Sequence, residues 1–546
     1  MTRPLLLVSR GSWLVGLCLA AGLLSTGRAG AQTIKTLPGD YATFTAAIND
    51  INITFPAGGV TVNVAAGYAE TSAAALPLLT AQGTGGATGQ IVFQKSGAGT
   101  NPKITAAAGT TTTLDGIVRL SGADYVTFDG IDLSEAATNT TVTTQMEFGY
   151  ALFRPTTTNG CQNNTIKNCV VMLNKTNTAT VGIYGAVGTA AVTTSMAATS
   201  PAGANSGNKI FGCVITNAVQ GIYLTGNAST TAANFDLNNE IGVGGANTVG
   251  NFGGLATSGW GIGVNVQNGA KIANNIINST LNYTSATAST AVLASTVTST
   301  LRGIYGNTAA SSNIDITNNT ITLASGATTN SLIGIDNGIG STAAGNTVNI
   351  TGNTVTNCTY GTATTGIFTG INNAATAATV NMSNNTVTNN SATGTGTMTL
   401  ITSGTATTLN LNNNVISNNS KQAAAATLSI SLFALAVGTA AITATGNTIT
   451  NNTVVTSGVS TGAGFVFGYQ QNRSPTSETL TGNTITGLSV SGTSTSTASL
   501  ASKGSSTATV NIVSGTTSYV MPPAIGPGYD QVSFTFVPAG TKVKET

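Results

Sequence analysis

Histidine is absent from all 546 residues, which excludes every mechanism that needs imidazole as base, as partner of a nucleophile or as metal ligand. Zinc sites of the usual kind go with it. Charge is nearly as scarce: Asp, Glu, Lys and Arg make up 6% of the chain against 41% hydrophobic residues, a balance unlike that of a disordered charged tail or an ordinary globular surface. Thr, Ser, Asn and Gly must supply the polar surface. Without Arg3, Arg10 and Arg28, which belong to the leader described below, 15 of the 18 basic residues face 16 acidic ones. No bulk field remains to attract nucleic acid or anionic lipid, and this composition leads us to expect neither a cofactor nor a metal.

The N-terminus has the form of a secretory signal peptide, residues 1–31. Arg3 and Arg10 form its basic region, residues 13–24 its apolar core, and Ala29-Gly30-Ala31 a small-residue cleavage site before Gln32. A membrane anchor needs about 20 apolar residues, more than this core offers. Cys18 follows Leu17, where a lipoprotein signal would carry a small residue. The mature chain is therefore expected to be secreted or on the outer cell surface, with no integral membrane segment after cleavage.

What the chain has in abundance is repetition. Aligned on one asparagine, a short pattern recurs at Asn164, Asn208, Asn239, Asn275, Asn319, Asn353, Asn385, Asn414, Asn447 and Asn483, at spacings of 29 to 44 residues. Such periods mark solenoids. Two positions on, every copy carries Ile or Val (Ile166, Ile210, Ile241, Ile277, Ile321, Val355, Val387, Ile416, Ile449 and Ile485). One position before the asparagine stands Gly or Asn in every copy, as at Asn163, Gly207 and Asn384, and the property these two share is tolerance of positive φ. Upstream, Ile314-Asp315-Ile316 and Val348-Asn349-Ile350 alternate as strands do. A second series, Gly182-Ile183, Gly221-Ile222, Gly261-Ile262, Gly303-Ile304, Gly334-Ile335 and Gly366-Ile367, supplies another strand per coil. A coil of this kind cannot bury its inner row alone, so equivalent positions must stack about 4.8 Å apart, with the aliphatic column as core. The expected fold is all-β, a right-handed single-stranded parallel β-helix. We expect an N-terminal cap and first coils over 32–135, repeats with T-like loops over 136–505, and a final coil or cap and tail over 506–546.

Residues 39–48, Gly-Asp-Tyr-Ala-Thr-Phe-Thr-Ala-Ala-Ile, followed by 60–68, Val-Thr-Val-Asn-Val-Ala-Ala-Gly-Tyr, resemble the capping helix and first strand of pectin-lyase-like β-helices. Residues 123–131, Ala-Asp-Tyr-Val-Thr-Phe-Asp-Gly-Ile, resemble their characteristic coil. The mature chain as a whole resembles large secreted β-helix repeat proteins of Gram-negative bacteria, a group without an assigned activity. The resemblance implies a short N-terminal capping helix. It transfers no catalytic residue, because the paired Asp and Arg motif of the pectinesterases has no counterpart here.

Enzymes of that superfamily act on acidic polysaccharides with clustered Asp, Arg, Lys and often calcium in one outer groove, whereas here charges are thinly spread between Glu135 and Lys503. Lys271 and Asp315 share a register position and are expected to form an exposed ladder ion pair contributing about 0 to 1 kcal/mol. Asp124, Asp129, Asp132 and Glu135 are the densest carboxylates and read as strand-end and corner residues, with a calcium or acid/base site as the sharper alternative. Cys169, Cys213 and Cys358 share one register position. The first two lie close enough for a disulfide but are expected to be stacked buried thiols, and Cys161 a small core hydrophobe. Thr320 and Thr322, Thr354 and Thr356, Thr386 and Thr388, Thr448 and Thr450, and Thr484 and Thr486 form Thr-x-Thr pairs, interrupted by Val415 and Ser417. Their rows resemble the ice-binding faces of β-helical antifreeze proteins, although threonine also suits any uncharged outer strand.

The expectation drawn from these features is a non-catalytic, adhesin-like or glycan-binding scaffold, with polysaccharide or cell-surface glycans as partners and no nucleic acid. The alternatives are a polysaccharide lyase or esterase with an atypical site, which a close group of three or more charged residues in one groove would favour, and ice binding through the threonine rows.

Overall fold

The computed structural model describes residues 31–499 apart from short internal segments, together with strands Val510–Val513 and Thr535–Phe536. The expected leader, but for Ala31, therefore lies outside the described residues, as does most of the expected C-terminal segment. Successive coils stack into three long parallel sheets of 14, 15 and 12 strands, the first, second and third sheets below, with a five-stranded sheet beside them. This is a right-handed parallel β-helix.

The N-terminal cap is the helix Phe44–Thr54, started by Thr43, whose hydroxyl accepts from Ala46 N at 3.1 Å. Its buried face, Phe44, Ala47, Ile48 and Ile51, covers the end of the stack, where Phe44 meets Phe93 and Phe93 stacks on Phe128 at 5.1 Å. A strand absent from the sequence reading, Thr33–Leu37, precedes the helix and pairs with Val60–Ala65. The chain thus begins its first sheet before the cap.

Every Gly or Asn expected to turn the corner has positive φ, from 53° at Asn238 to 70° at Gly207. The single aliphatic column does not hold. Ile166, Ile210 and Ile241 lie in the first sheet and continue through Ile272 to Ile316. The copies from Ile277 onward lie in the second sheet and stack beneath Val171, Ile215 and Val249. The same local solution, a left-handed residue followed by asparagine, serves two different corners, so the motif alone cannot tell them apart. Cys169 and Cys213 accordingly occupy the corner that later coils fill with asparagine: Cys213 N donates to Asn247 Oδ1, and Asn247 Nδ2 to Asn275 Oδ1. Cys358 stands one corner further on, its N donating to Asn390 Oδ1. All four described cysteines are free and buried.

The glycine-isoleucine series forms the third sheet's inner file, Ile183, Ile222, Ile262, Ile304 and Ile335, but its next member is Ile371 rather than Ile367. Ile367 is exposed. The glycines have a packing reason: a Cβ on Gly370 would fall 2.9 Å from Val387 Cγ1 and 2.5 Å from Leu400 O, so the missing side chain lets the second sheet's inner file press against the third. The core is this set of inner files, and Ile321, Val355, Val387 and Ile416 have no exposed surface.

Candidate functional site

Two early coils build the site. In one, Ile91–Ser96 turns through glycine-rich 97–101 into Lys103–Ala106; in the next, Val126–Asp129 turns at Gly130 (φ 68°) into Asp132–Glu135. A Cβ on Gly130 would lie 3.3 Å from Lys95 Cβ and from Asn101 Oδ1, so the bare corner lets the two coils close on each other. Phe93 pairs with Phe128, and Lys103 with Asp132. The outer surface here is a groove of about 650 Å³ whose lining includes Tyr68, Lys95, Asn101, Lys103, Asp132 and Met172.

Asp132 is held by one oxygen. Its Oδ1 accepts from Asn101 Nδ2 and from Val170 N, both at 2.8 Å, while Oδ2 takes no hydrogen bond from the described residues. Burial pushes this carboxyl above the ordinary aspartate value, against the pull of those two donors and of the Lys103 and Lys95 charges. Neither lysine lies within ion-pair distance of a carboxylate among the described residues. Tyr68 lines the groove as well, its hydroxyl donating to Glu70 Oε2 at 2.9 Å.

The other carboxylates of this stretch do not join the groove as a cluster. Asp124 Oδ1 accepts from Gln162 N at 2.7 Å, and burial lifts the group to about 6. Asp129 pairs with Lys167 at 3.1 Å. Glu135 Oε1 accepts from Asn139 Nδ2 and Met146 N, and burial lifts this group to about 7. Each ties strand ends or corners together, as the sequence suggested. Among the described residues no group of three or more His, Cys, Asp or Glu could hold a metal ion.

Lys271 and Asp315 are register neighbours but not partners. Glu240, one coil earlier, takes Lys271 at 3.0 Å and Lys209 at 3.6 Å, and Asp315 Oδ1 accepts from Asn349 Nδ2 at 2.6 Å. Glu240 sits at the same outward position and outcompetes Asp315 for the amine. The threonine pairs all face outward from the second sheet, in register from Thr320 to Thr484. Sequence reasoning missed Lys95, Asn101 and Lys103. The signal was partial: residues 91–106 repeat the strand, glycine turn and strand of 126–135, but Lys103 lies ten positions after Phe93 and Asp132 four after Phe128, so the longer first turn hides a pairing that only the stacked second strands show.

No family model and no curated protein matches the sequence. Among solved structures, the chain is similar to a GH136 lacto-N-biosidase from Eubacterium ramulus, at 12% identity and a TM-score of 0.35 over 82% of this chain and 67% of that one. It is also similar to a PL6 family alginate lyase, at 10% identity and a TM-score of 0.31 over 89% and 76%. Likeness at this level extends to the parallel β-helix fold. The expectation of a non-catalytic scaffold does not stand: three charged residues, Lys95, Lys103 and Asp132, share one groove, the condition that favours the enzyme alternative.

Proposed function

We propose that the chain is a secreted or surface-exposed carbohydrate-active enzyme that binds an anionic polysaccharide in the Lys95–Lys103–Asp132 groove and cleaves it by β-elimination. The observation that carries this reading is that two lysines with no ion-pair partner among the described residues line one groove with a half-buried carboxylate, whose second oxygen takes no hydrogen bond from those residues. Unpaired cations in a groove bind anions, and a uronate carboxylate docked there would have its charge neutralised. That neutralisation acidifies the hydrogen on the adjoining ring carbon, C5. Asp132 Oδ2 accepts this proton, the C5–H electron pair forms the C4–C5 double bond, and the C4–O bond breaks with its electrons leaving on oxygen, which is protonated by water. With no histidine in the chain, proton transfer falls to a carboxylate, phenol or amine, and Asp132, whose pKa burial raises above the ordinary aspartate value, has the oxygen available to act as base.

The test is release of unsaturated ends from alginate and polygalacturonate, followed by ultraviolet absorbance. Asp132→Asn should lower kcat by about 10²- to 10⁴-fold, and Lys103→Ala should chiefly raise KM. Because the base must be ionised, turnover should fall as pH drops through the raised pKa of Asp132. Absence of both turnover and binding with the unmodified protein on every uronate polymer would overturn the proposal.

A further inference from the structure

The groove opens onto a continuous file. Lys103 and Asp132 occupy one outward position of the second sheet, and the same position in the following coils holds Val170, Val214, Thr248 and Ile276. It then holds the first threonine of each Thr-x-Thr pair, with Val415 among them, as far as Thr484. From Val170 onward every residue in the file is β-branched and uncharged. Strand propensity does not account for this, because the matching outward file of the first sheet, in many of the same coils, is Lys209, Glu240, Lys271 and Asp315, followed by asparagines.

The two files also differ in how their polar atoms are used. On the first sheet the side chains satisfy one another: Lys209 and Lys271 pair with Glu240, and Asn349, Asn381 and Asn410 pass one amide hydrogen bond from coil to coil at 2.6 to 2.8 Å. On the second sheet the hydroxyls of Thr320, Thr354, Thr386, Thr448 and Thr484 make no hydrogen bond to described residues, although in the neighbouring file Thr322 donates to Thr356 O and Thr388 bonds Ser417. Val170, 7% exposed, belongs to the lining of the groove, and from Val214 to Thr484 the partly exposed file offers a methyl group and, in most coils, a hydroxyl at every step of about 4.8 Å, over roughly 40 Å. Only short corners flank it beyond Thr320, such as Asn318-Asn319 and Asn357-Cys358. The hairpin of Leu281–Tyr283 with Ala288–Val292 sets Tyr283 over Gly250, in the adjacent file.

We infer that this file is a binding track for one extended polysaccharide chain, running along the solenoid axis from the charged groove. The inference rests on the groove being a carbohydrate site. Continuity of register with Lys103 and Asp132 favours a polymer held at both places over a separate ligand such as ice. Sugar rings present alternating C–H faces and hydroxyls, the complement of methyls and free hydroxyls at regular intervals. Many weak contacts in series would make affinity depend on chain length.

The experiment compares tetrameric with polymeric alginate and polygalacturonate on the full mature chain, by retention on polymer-containing gels and by turnover. The unmodified protein should prefer polymer over tetramer by about tenfold or more. Thr386→Tyr, whose ring would stand across the track, should collapse that preference, and Thr386→Val, which keeps the shape and loses the hydroxyl, should reduce it partially, both with unchanged circular dichroism. Equal affinity for tetramer and polymer, or a preference that survives Thr386→Tyr, would overturn the track even if Asp132-dependent turnover is found. Retention of polymer lost on Thr386→Tyr, without any turnover, would uphold the track and sink only the lyase chemistry. Thermal hysteresis abolished by Thr386→Tyr, with no polymer preference, would assign the face to ice and overturn the inference.

Discussion

Lys421 has no exposed surface, and its ammonium donates to Thr393 O at 2.9 Å. Burial lowers its pKa from 10.5 to about 8, below that of the unfolded chain. At pH 7 both states hold the proton, so the folded protein bears the cost of the buried charge. Above about pH 8 the folded state releases it while the unfolded state keeps it until about 10.5, so this group's contribution to stability improves across that window. Lys421→Met, similar in volume and uncharged, should therefore raise the melting temperature at pH 7 by an amount worth on the order of 1 to 3 kcal/mol, with the gain shrinking toward pH 10.5. A variant less stable than the parent at pH 7 would show that the amine makes a favourable contact that outweighs its desolvation. The opposite substitution works at Val387, which has no exposed surface. Val387→Asp forfeits packing worth about 1.5 to 3 kcal/mol and adds an unpaired buried charge, so the middle of the stack should lose its cooperative melting transition.

At the scale of elements, the corners between the first and second sheets contribute more than their polar sequence suggests. From Asn275 to Asn483 each asparagine sends both its backbone N–H and its side-chain Nδ2 to the next asparagine's Oδ1, at 2.8 to 3.1 Å. Asn385 also donates to Ile350 O at 2.8 Å. Asn385→Ala strands the Asn353 amide and several buried partners, and should cost about 2 to 5 kcal/mol in chemical denaturation. Asn381→Ala, in the outward amide ladder where water can replace the lost bonds, should cost under about 1 kcal/mol. Equal losses would mean that the inner ladder is no more than a surface ladder. The corner was legible because a left-handed residue leaves a chemical trace, Gly or Asn, whatever its place in the coil. Its assignment to a particular corner was not, because Asn239 and Asn275 carry identical local signatures and only the register of Ile241 with Ile272 separates them. The groove was harder to read for a related reason: Lys95 and Lys103 acquire meaning only once Phe93 is set on Phe128, and that pairing belongs to the stack.

For the whole molecule, stacking of near-equivalent coils makes stability a sum of coil terms and nearest-neighbour interfaces, which leads to a prediction about length. Asn385 and Asn414 are the same corner one coil apart, 29 residues along the chain, and both follow a left-handed asparagine, Asn384 and Asn413. Deleting 385–413 joins Asn384 to Asn414 with the corner intact. Val355 then meets Ile416 in place of Val387, and Ile371 meets Phe433 in place of Ile401, so each inner file closes over the gap with another apolar residue. The shortened protein should fold, melt cooperatively and lose only a few degrees of melting temperature, because one coil and one interface are gone and no new surface is exposed. Removing one residue more, 385–414, deletes the corner asparagine and moves Val415 into its place. Ile416 would then take the outward position of Thr386, and the strand would present its polar side to the core. That protein should fail to fold or should aggregate. Melting curves and size-exclusion profiles of the two deletions decide the matter: if both fold equally well, the corner does not set the register, and the inner files are held by something other than the stacked asparagines.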